Sequence, residues 1–579
     1  MINLKIDNKE ISVPEGTTIL EAARQANIDI PTLCYLKKVN EIGDCRMCIV
    51  EVEGRKGFAT SCIQKVEEGM VVHTHTPDVL EARKMVLDLI ISNHAKDCLT
   101  CIRNGNCELQ ALAIKFNVLD VEYEGERTKH KIDDKSPAIV RDFNKCVLCR
   151  RCVGVCKNIQ NVGAIDCINR GFEACVSTAG DHSLADVDCT FCGQCIEACP
   201  TGALHEKDDT KKVWIKLKDP DVYTVVQTAP AVRVALGEEF GMPIGTNVQG
   251  KMITALRRLG FDKVFDTNTG ADLTIMEEAN EFIDRLNGKA VLPMITSCSP
   301  GWVRFAEKNY PELLDHLSSC KSPHQMFGAI IKSYYAQKFN VDPSKIYVVS
   351  VMPCIAKKYE CTREEMEVDG LRDVDAVITT RELSRMIKQG NIEFNKLEDS
   401  EFDDPMGEAT GAGAIFGTTG GVMEAALRTA SDILEGKNLE KVEYEEVRGK
   451  EGIKKATLTI AGKDVNIAVA SGLKAARQIM EEIKSGKAEY HFIEIMACPG
   501  GCVMGGGRPI KSSKIRSTVD VRKLRADSLY SIDEASTIRK SHQNPTIIKL
   551  YKEFLEKPGS KVAHKYLHTT YSKKEKYNI

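Results

Sequence analysis

A cysteine pattern constrains this chain more than any other feature of its sequence. Of the 579 residues, 23 are cysteines, and most of these lie in short clusters that use C-x2-C spacing. The N-terminal stretch MINLKIDNKE has neither the basic nor the apolar segment of a secretory signal, so a disulfide framework is not expected. The pattern therefore predicts a protein that binds several iron–sulfur clusters.

The clearest signal is a four-cysteine run that occurs twice in a domain predicted to span residues 127–209. Both copies have the spacing C-x2-C-x2-C-x3-C, and Pro200 follows the second. This is the pattern of bacterial two-cluster ferredoxins, in which the fourth cysteine of each run ligates the other run's cluster. Two 4Fe–4S clusters are therefore expected, one on Cys146, Cys149, Cys152 and Cys199 and one on Cys189, Cys192, Cys195 and Cys156. Between the runs, Cys167 and Cys175 are interpreted as thiols without a ligand role.

Residues 1–78 are predicted to form a small β-rich domain with a 2Fe–2S cluster. The segment MINLKID alternates apolar and polar residues as a half-buried strand does, and TILEAARQANI has the spacing of a helix. The cysteines that follow are Cys34, Cys45, Cys48 and Cys62. Their spacing resembles that of plant-type 2Fe–2S ferredoxins of β-grasp fold, but with a first gap of ten residues, as in the 2Fe–2S domains of large redox enzymes.

Residues 79–126 are predicted to form a second small cluster domain. An apolar pattern in VLEARKMVLDLIISNH indicates a helix. An H-x3-C-x2-C-x5-C set follows, made of His94, Cys98, Cys101 and Cys107. Zinc accepts such ligands too, but the position between two iron–sulfur domains favours a 4Fe–4S cluster. The set resembles the His/Cys3-ligated cluster shared by FeFe hydrogenases and the large iron–sulfur subunit of respiratory complex I.

Residues 210–579 have a different pattern, and the whole chain is therefore expected to be a multidomain α+β and α/β protein. Strand-like runs such as VYTVVQTA, KIYVVSVMP and YHFIEIMA alternate with helix-like segments, which predicts α/β layers with a parallel sheet. Cysteine-bearing segments follow such strands, where α/β proteins place ligand sites. The cysteines expected to meet there at one buried metal centre are Cys298, Cys354, Cys498 and Cys502.

Three segments of this region resemble the signature segments of the iron-only (FeFe) hydrogenases. They are TSCSPGW, MPCIAKKYE and EIMACPGGCVMGGGRP, and the preceding order of cluster domains is similar to that of the larger clostridial-type members. The resemblance spans nearly the whole chain. It implies a cytoplasmic enzyme that reversibly converts protons and electrons into H2. The implied cofactors are one 2Fe–2S cluster, three accessory 4Fe–4S clusters and an H-cluster, which is a 4Fe–4S cubane joined through a cysteine sulfur to a di-iron unit with CO, cyanide and azadithiolate ligands.

The resemblance also implies roles for single residues. Implied cubane ligands are Cys354, Cys498 and Cys502, with Cys502 as the bridge to the di-iron unit. The two cyanides are matched by the Lys357 ammonium and by backbone at Ala229 and Pro230. An apolar wall is matched by Met352, Phe416 and Met496. The implied proton path to the surface is Glu278, Ser318, Glu281 and Arg285.

One position departs from the family pattern. The family usually has two adjacent cysteines before the proline, the first a proton relay and the second a cubane ligand, whereas this chain has Cys298 and Ser299. Either Cys298 ligates the cubane and Ser299 relays protons, or the cubane takes an unusual ligand. Cys320 is a third candidate near the site. Because a hydroxyl has a far higher pKa than a thiol, the sequence favours Cys298 as the ligand.

The sequence also leads to predictions of the protein's partners and of alternative functions. Electrons are expected from ferredoxin or a similar carrier, and the H-cluster from hydrogenase maturation proteins. A net charge of −3 and the lack of an apolar run of about 18 residues give no indication of nucleic-acid or membrane binding. Alternative functions are the catalytic subunit of an electron-bifurcating, NADH-linked hydrogenase, a hydrogen sensor or a Nar1-like iron–sulfur assembly protein.

The C-terminal part of the last domain, about residues 510–579, resembles the small-subunit-like belt that wraps the catalytic domain of these enzymes. Its charged end, YSKKEKYNI, is predicted to be frayed. No role is predicted for Cys361.

Overall fold

The computed structural model describes residues 1–123, 125–440, 443–448 and 452–578. Its N-terminal part is a five-stranded sheet crossed by one helix. The strand order is Lys9–Val13, Ile2–Ile6, Val71–His73, Ile49–Val52, Phe58–Thr60, with only the second and third of these parallel. Helix Ile19–Gln25 begins where the Thr18 hydroxyl accepts a hydrogen bond from the Glu21 N–H, and it buries its apolar face on the sheet. This is the expected β-grasp arrangement.

Short elements dominate the next two cluster regions. Helices are Pro77–Ser92, Glu108–Lys115, Arg151–Gly154 and Gln194–Ala198. Two antiparallel strand pairs are Ile139–Arg141 with Leu204–Glu206 and Asp166–Ile168 with Cys175–Ser177. A short helix thus accompanies each of the repeated cysteine runs, as the internal repeat of the sequence requires.

Two four-stranded sheets form the centre of the catalytic region. In the first sheet all strands are parallel, in the order Lys263–Asp266, Tyr223–Thr228, Ile346–Met352, Ala376–Thr379. The second has the order Met294–Ile295, Phe492–Met496, Lys463–Ser471, Gly452–Ile460, with only the last pair antiparallel. The predicted strand-like runs are therefore strands of two sheets rather than of one. A strand hairpin, Glu367–Val368 with Leu371–Arg372, lies outside both sheets.

Helices cover both sheets. The helices that precede the C-terminal belt are Thr210–Leu217, Pro230–Arg233, Gln249–Leu259, Thr267–Leu286, Pro300–Asn309, Pro323–Ile330, Ala336–Phe339, Ala356–Glu360, Thr380–Gln389, Gly411–Ile415, Gly421–Glu435 and Leu473–Lys484. The long helix Thr267–Leu286 joins the two apolar cores, because Leu273 packs into the core of the first sheet while Ile275 and Phe282 pack into that of the second. It therefore lies between the two sheets and fixes their relative position.

The C-terminal belt packs against this catalytic core. Its helices are Ser513–Thr518, Val521–Ala535, Pro545–Leu550 and Lys561–Leu567. The prediction of a frayed end is wrong for residues 571–578, because the N–H groups of Lys574 and Asn578 donate to the carbonyls of Glu307 and Asp186 at 3.1 and 2.8 Å. Residue 579 lies outside the described residues. Among the described helices, none has both the length and the apolar character needed to cross a membrane.

Candidate active site

One buried cavity lies where strands of both sheets end. Strand Ile346–Met352 of the first sheet leads into it at Pro353, and strand Phe492–Met496 of the second sheet leads into it at Ala497. The predicted site residues on its wall are Ala229, Pro230, Cys298, Ser299, Met352, Cys354, Lys357, Phe416, Met496, Cys498 and Cys502. Segments that are far apart in sequence thus meet because parallel strands present their carboxyl ends at the same edge.

Glycines let the loops around this cavity come close together. Gly501 has φ +85°, and a Cβ atom there would lie 2.7 Å from the Thr419 backbone nitrogen. A Cβ atom on Gly505 would lie 2.3 Å from the Pro353 carbonyl oxygen. Larger residues would push these loops apart, so the glycine-rich segment after Cys498 is needed for close backbone packing.

The buried Glu494 carboxylate holds these loops in position through hydrogen bonds. Glu494 accepts hydrogen bonds from the N–H groups of Gly420 and Met423, both at 2.7 Å. Burial raises the pKa of Glu494 to about 7. These bonds tie strand Phe492–Met496 to the start of helix Gly421–Glu435 and so set the position of the loop that carries Cys498.

Lys357 is held by an anionic partner at the cavity wall. Its ammonium donates to Glu360 at 2.7 Å and to the Cys298 carbonyl at 3.2 Å. Glu360 also contacts His324 Nε2 at 2.5 Å. Although burial alone would raise the pKa of Glu360, Lys357 and His324 lower it to about 2. The lysine side chain is therefore fixed in direction by a carboxylate that stays ionised.

Cys298 and Ser299 have different surroundings. The Ser299 hydroxyl oxygen accepts a hydrogen bond from the Ala497 N–H at 3.3 Å, beside Cys498. Cys298 packs against the apolar core that contains Phe416 and Met496. Burial and the nearby Glu278 carboxyl raise the pKa of the Cys298 thiol. The two adjacent side chains thus lie in different parts of the cavity wall.

The predicted proton path is joined in its outer part. The Glu281 carboxylate accepts hydrogen bonds from the Ser318 hydroxyl at 2.9 Å and from Arg285 Nη2 at 2.7 Å. Glu278 lies three residues earlier on the same helix and is fully buried. Its carboxyl group has no hydrogen-bond partner among the described residues, and burial together with Glu281 raises its pKa to about 8.

The predicted ligand sets of the ferredoxin-like domain line two further cavities. The first is lined by Cys146, Cys149, Cys152 and Cys199. The second is lined by Cys156, Cys189, Cys192 and Cys195. Cys192 also lines the central cavity, so the second ferredoxin site adjoins it. The structure thus brings each predicted set of four cysteines, with its crossed fourth member, to one cavity.

The two N-terminal cluster regions both touch the first ferredoxin site. Asn40 Nδ2 donates to the carbonyls of Cys34 and Cys149 at 2.8 and 2.9 Å. Arg103 Nη1 donates to the Cys199 carbonyl at 3.2 Å. Both N-terminal regions therefore contact residues of the first ferredoxin site, and they also pack against each other through Met47, Leu87 and Leu109.

The predicted ligands of these two regions differ in their exposure to solvent and in their contacts. In the first, the N–H of Cys34 lies 3.3 Å from Cys45 Sγ, and the Cys62 thiol lowers the pKa of Cys48. In the second, His94 is half-buried, its Nδ1 atom is buried without a partner among the described residues, and desolvation lowers its pKa to about 4. Cys98 is exposed, and Cys101 and Cys107 are half-buried. A neutral imidazole with an unpaired nitrogen suits a metal ligand.

The other cysteines lie elsewhere. Cys167 is exposed and Cys175 buried on a strand pair of the ferredoxin-like domain. Cys361 donates to the Lys358 carbonyl at 3.2 Å, away from the cavity wall. Cys320 lies beside Glu281, with Sγ 3.8 Å from Oε2, and does not line the central cavity.

Full-length relatives have the same extent as this chain. The "NADP-reducing hydrogenase subunit HndD" of Solidesulfovibrio fructosivorans is 50% identical and the match covers 100% of both chains. "Iron hydrogenase 1" of Clostridium pasteurianum is 46% identical over 99% of this chain and 100% of the relative. This chain belongs to the iron-only (FeFe) hydrogenase family. It is an enzyme that interconverts H2 with protons and electrons, with a hydrogenase domain preceded by iron–sulfur domains.

The family models that match this hydrogenase place the iron–sulfur domains before the catalytic domain. Residues 222–506 match the iron-only hydrogenase large subunit, C-terminal domain, and residues 519–574 match the iron hydrogenase small subunit. The N-terminal matches are a 2Fe-2S iron-sulfur cluster binding domain (1–77), the NADH-ubiquinone oxidoreductase-G iron-sulfur binding region (83–122) and the NADH-quinone oxidoreductase subunit 3 ferredoxin-like domain (136–205).

A solved relative matches the catalytic part of the hydrogenase. The apo form of a variant of the [FeFe]-hydrogenase HydA1 from Chlamydomonas reinhardtii has a TM-score of 0.57 and 40% identity, covering 64% of this chain and 100% of that one. The expected catalytic fold is therefore confirmed.

Several residues of the site were not predicted from the sequence. Glu360 could have been found, because it lies three residues after Lys357 and so shares its helix face. Arg508, in the GGGRP segment, is fully buried, and none of its guanidinium nitrogens has a partner among the described residues. Such a cation needs a nearby anion. An iron–sulfur centre held by thiolates beside Cys502 would supply one, so the residues fit the cofactor that the family implies.

Proposed function

We propose that the central cavity holds the H-cluster, with the cubane on Cys354, Cys498 and Cys502 and the di-iron unit against the apolar wall. When bound, this group supplies the redox chemistry of H2. The observation that carries the proposal is the meeting of these three thiols with Lys357 at one buried cavity. Met352, Phe416 and Met496 contribute apolar side chains that keep bulk water away from the reacting atoms.

Ser299 is the proposed fourth cubane ligand. The sequence favours Cys298 for this role, but the contacts of the two side chains support Ser299. Its oxygen is oriented by the Ala497 N–H beside Cys498, whereas Cys298 packs with Phe416 and Met496. An oxygen ligand is harder than a thiolate, so this corner of the cubane would differ in electronic structure from the other three.

Substitution at the two positions separates these assignments. If Ser299 ligates the cubane, Cys298→Ala keeps the cubane iron and its electron paramagnetic resonance (EPR) signal, while Ser299→Cys shifts the cubane reduction potential and Ser299→Ala lowers the cubane iron content. Loss of the cubane in Cys298→Ala, with an unchanged potential in Ser299→Cys, would instead assign the fourth position to Cys298.

Lys357 and the loop at Ala229–Pro230 are proposed to hold the two anionic diatomic ligands. The lysine can donate to an anion in the cavity because Glu360 and the Cys298 carbonyl fix its ammonium at the wall. A fixed cation in a water-poor cavity gives a strong, directional hydrogen bond. Pro230 begins a short helix and has no N–H, while the N–H groups of Ala229 and Val232 donate to the carbonyls of Val351 and Ala229. The Ala231 N–H is therefore the donor proposed for an anion at this loop.

Protons are proposed to move through Glu278, Ser318, Glu281 and Arg285. The outer three are already joined by hydrogen bonds. Because its pKa is raised to about 8, Glu278 can gain and lose a proton near neutral pH. Cys298, whose pKa is influenced by Glu278, is the proposed link between this carboxyl group and the cavity.

Electrons are proposed to enter through one 2Fe–2S and three 4Fe–4S clusters and to reach the cavity beside Cys192. The 2Fe–2S ligands are Cys34, Cys45, Cys48 and Cys62, and the His-containing set is His94, Cys98, Cys101 and Cys107. A reduced ferredoxin is the proposed donor, and maturation proteins the source of the di-iron unit. Purified, matured chain should evolve H2 from reduced ferredoxin; failure with ferredoxin but activity with reduced methyl viologen would exclude this donor.

A second candidate is the catalytic subunit of a nicotinamide-linked complex. The full-length match to a relative named as a subunit of an NADP-reducing hydrogenase favours it. In that case the chain alone would reduce neither NAD⁺ nor NADP⁺ with H2, and it would do so when its partner subunits are added.

A further inference from the structure

A second cluster of metal-ligating side chains lies outside the central cavity, where the belt meets the catalytic core. Glu281, Cys320 and His568 each offer one ligand atom, and these atoms all lie within 4.8 Å of one another. Cys320 and His568 face each other across an isolated antiparallel bridge, so their spacing is fixed by backbone pairing. Cys320 is fully buried, and His568 is largely so.

The surroundings of His568 orient it as a ligand. Its Nε2 lies 3.0 Å from Glu277, a buried carboxylate that also accepts from the Gly559 N–H at 2.9 Å and from the Tyr551 hydroxyl. A carboxylate on the far ring nitrogen is typical of metal-binding histidines, because it fixes the ring and leaves the other nitrogen available. That other nitrogen, Nδ1, lies 2.8 Å from the Ser319 hydroxyl.

The Ser319 hydroxyl contacts two of the three ligand residues, His568 and Glu281. Ser319 Oγ also lies 3.3 Å from Glu281 Oε2, and Cys320 Sγ lies 3.8 Å from that oxygen. Arg285 binds mainly to the other carboxylate oxygen, Oε1, at 2.7 Å. Glu281 Oε2 also accepts hydrogen bonds from the Ser318 hydroxyl at 2.9 Å and the Ser319 N–H at 3.1 Å. A cation at Oε2 would therefore displace the serine hydroxyls while the Arg285 ion pair at Oε1 stays in place.

We propose that Glu281 Oε2, Cys320 Sγ and His568 Nδ1 bind Zn²⁺, with the Ser319 hydroxyl or a water as fourth ligand. Thiolate, imidazole and carboxylate are the ligand types that zinc takes in proteins, and four-coordination suits a site with three protein ligands. Calcium and magnesium prefer oxygen-only sites and are disfavoured here. Binding releases the Cys320 proton to solvent as the Zn–S bond forms.

A route from solvent to the site is present. The exposed His564 ring lies beside His568, which directly follows the same helix, with ring centroids 4.0 Å apart. The Glu281 side chain remains 16% exposed. A cation can therefore reach the cluster from the belt surface, with His564 as its first contact.

Zinc at this site would slow H2 turnover, and this consequence rests on the proposed proton path. Glu281 Oε2 accepts the hydrogen bond of Ser318. A bound cation would occupy that oxygen and stop the carboxylate from exchanging protons. The cluster is thus an inhibitory site on the proton path, and it is separate from every iron–sulfur site.

Zinc K-edge X-ray absorption of chelator-treated holoenzyme with one equivalent of Zn²⁺ tests the binding. The expected spectrum has one sulfur at about 2.3 Å and nitrogen or oxygen neighbours at about 2.0–2.2 Å. Cys320→Ala should remove the sulfur contribution and weaken zinc binding at least about tenfold, and His568→Gln should weaken it similarly. Cys361→Ala, which removes a half-buried cysteine elsewhere in the catalytic region, should leave both unchanged.

The rate of H2 evolution is then measured with and without zinc. The expected result is inhibition that EDTA reverses and that Cys320→Ala relieves. A zinc spectrum without sulfur, or equal zinc affinity in Cys320→Ala and the unsubstituted enzyme, would overturn the site. A sulfur-containing spectrum without inhibition would keep the site but overturn its inhibitory role and the place of Glu281 in the proton path.

Discussion

The cluster regions before residue 210 and the catalytic cavity bind metal centres by opposite strategies. In the ferredoxin-like domain, two short runs supply all eight cysteines that line the two cavities. In the catalytic region, Cys354, Cys498 and Cys502 reach the cavity from the ends of strands in different sheets. Local spacing therefore defines the first kind of site, whereas sheet topology defines the second.

The two regions also differ in what they must transport. The N-terminal regions contact the first ferredoxin site through hydrogen bonds such as those of Asn40, and they are proposed to carry electrons only. The reaction proposed for the cavity needs protons as well, and the proposed proton path contains the fully buried Glu278. Substitutions in the cavity should therefore abolish catalysis, while substitutions in the N-terminal cluster regions should weaken it.

The largest effect is expected from Cys502→Ala, which removes the proposed bridge between cubane and di-iron unit. H2 evolution with reduced methyl viologen should fall to background, while the EPR signals of the N-terminal clusters persist. Cys361→Ala is the matched control and should retain activity. Substantial activity in Cys502→Ala would contradict the assignment of the cavity.

Glu281→Gln is expected to lower the rate of H2 evolution by about 10²–10⁴-fold, because a side chain that transfers protons contributes about this factor. The infrared bands of the matured centre should not change, since Glu281 does not line the cavity. Asp284→Asn, an exposed carboxylate on the same helix that pairs with Lys289, is the control. An equal loss in both variants would point to a helix defect rather than to proton transfer.

Glu278 should make the stability of the folded enzyme depend on pH. Its folded-state pKa is raised from 4.5 to about 8, so between these values the folded state binds more protons than the unfolded state and stability falls as pH rises. Between pH 6 and 8 the loss should be about 2–3 kcal/mol relative to Glu278→Gln, because one pKa unit corresponds to about 1.4 kcal/mol. Denaturant unfolding of both proteins at several pH values measures this, and parallel pH profiles would contradict it.

The smallest effect is expected from Asn40→Ala in the first N-terminal cluster region. This change removes two buried hydrogen bonds, worth about 1–3 kcal/mol in total. Hydrogen exchange of the loop around Cys34 should accelerate, with a few-fold slower ferredoxin-dependent rate and an unchanged methyl viologen rate. A background-level rate with methyl viologen would show that a change in the N-terminal cluster regions also impairs the reaction in the central cavity.

Much of this architecture could be predicted from sequence because its signals are local. The cysteine repeat indicates which residues share each ferredoxin site, and the apolar run before Cys354 indicates the strand that leads to it. The folding of these strands into two sheets could not be predicted, because strand order depends on packing across helix Thr267–Leu286. The docking of the tail onto Glu307 also required the structure, since a charged segment is expected to be solvated until its backbone partners are known.

The Cys298–Ser299 pair marks the limit of sequence reasoning at the site itself. The chemistry of isolated side chains favours the thiol as an iron ligand. The structure adds that the Ala497 N–H orients the Ser299 oxygen, a contact between residues distant in sequence. His324 could not be found for the same reason, because its role depends on Glu360 and on the Ser350 hydroxyl 3.1 Å away.

Infrared spectroscopy of the matured chain in the region of CO and cyanide absorption tests the central claim most directly. The account predicts discrete CO and cyanide bands in the matured enzyme, with the cyanide bands displaced in Lys357→Met. Absence of all such bands from matured protein whose N-terminal clusters are fully loaded with iron would contradict the assignment of the cavity to the H-cluster.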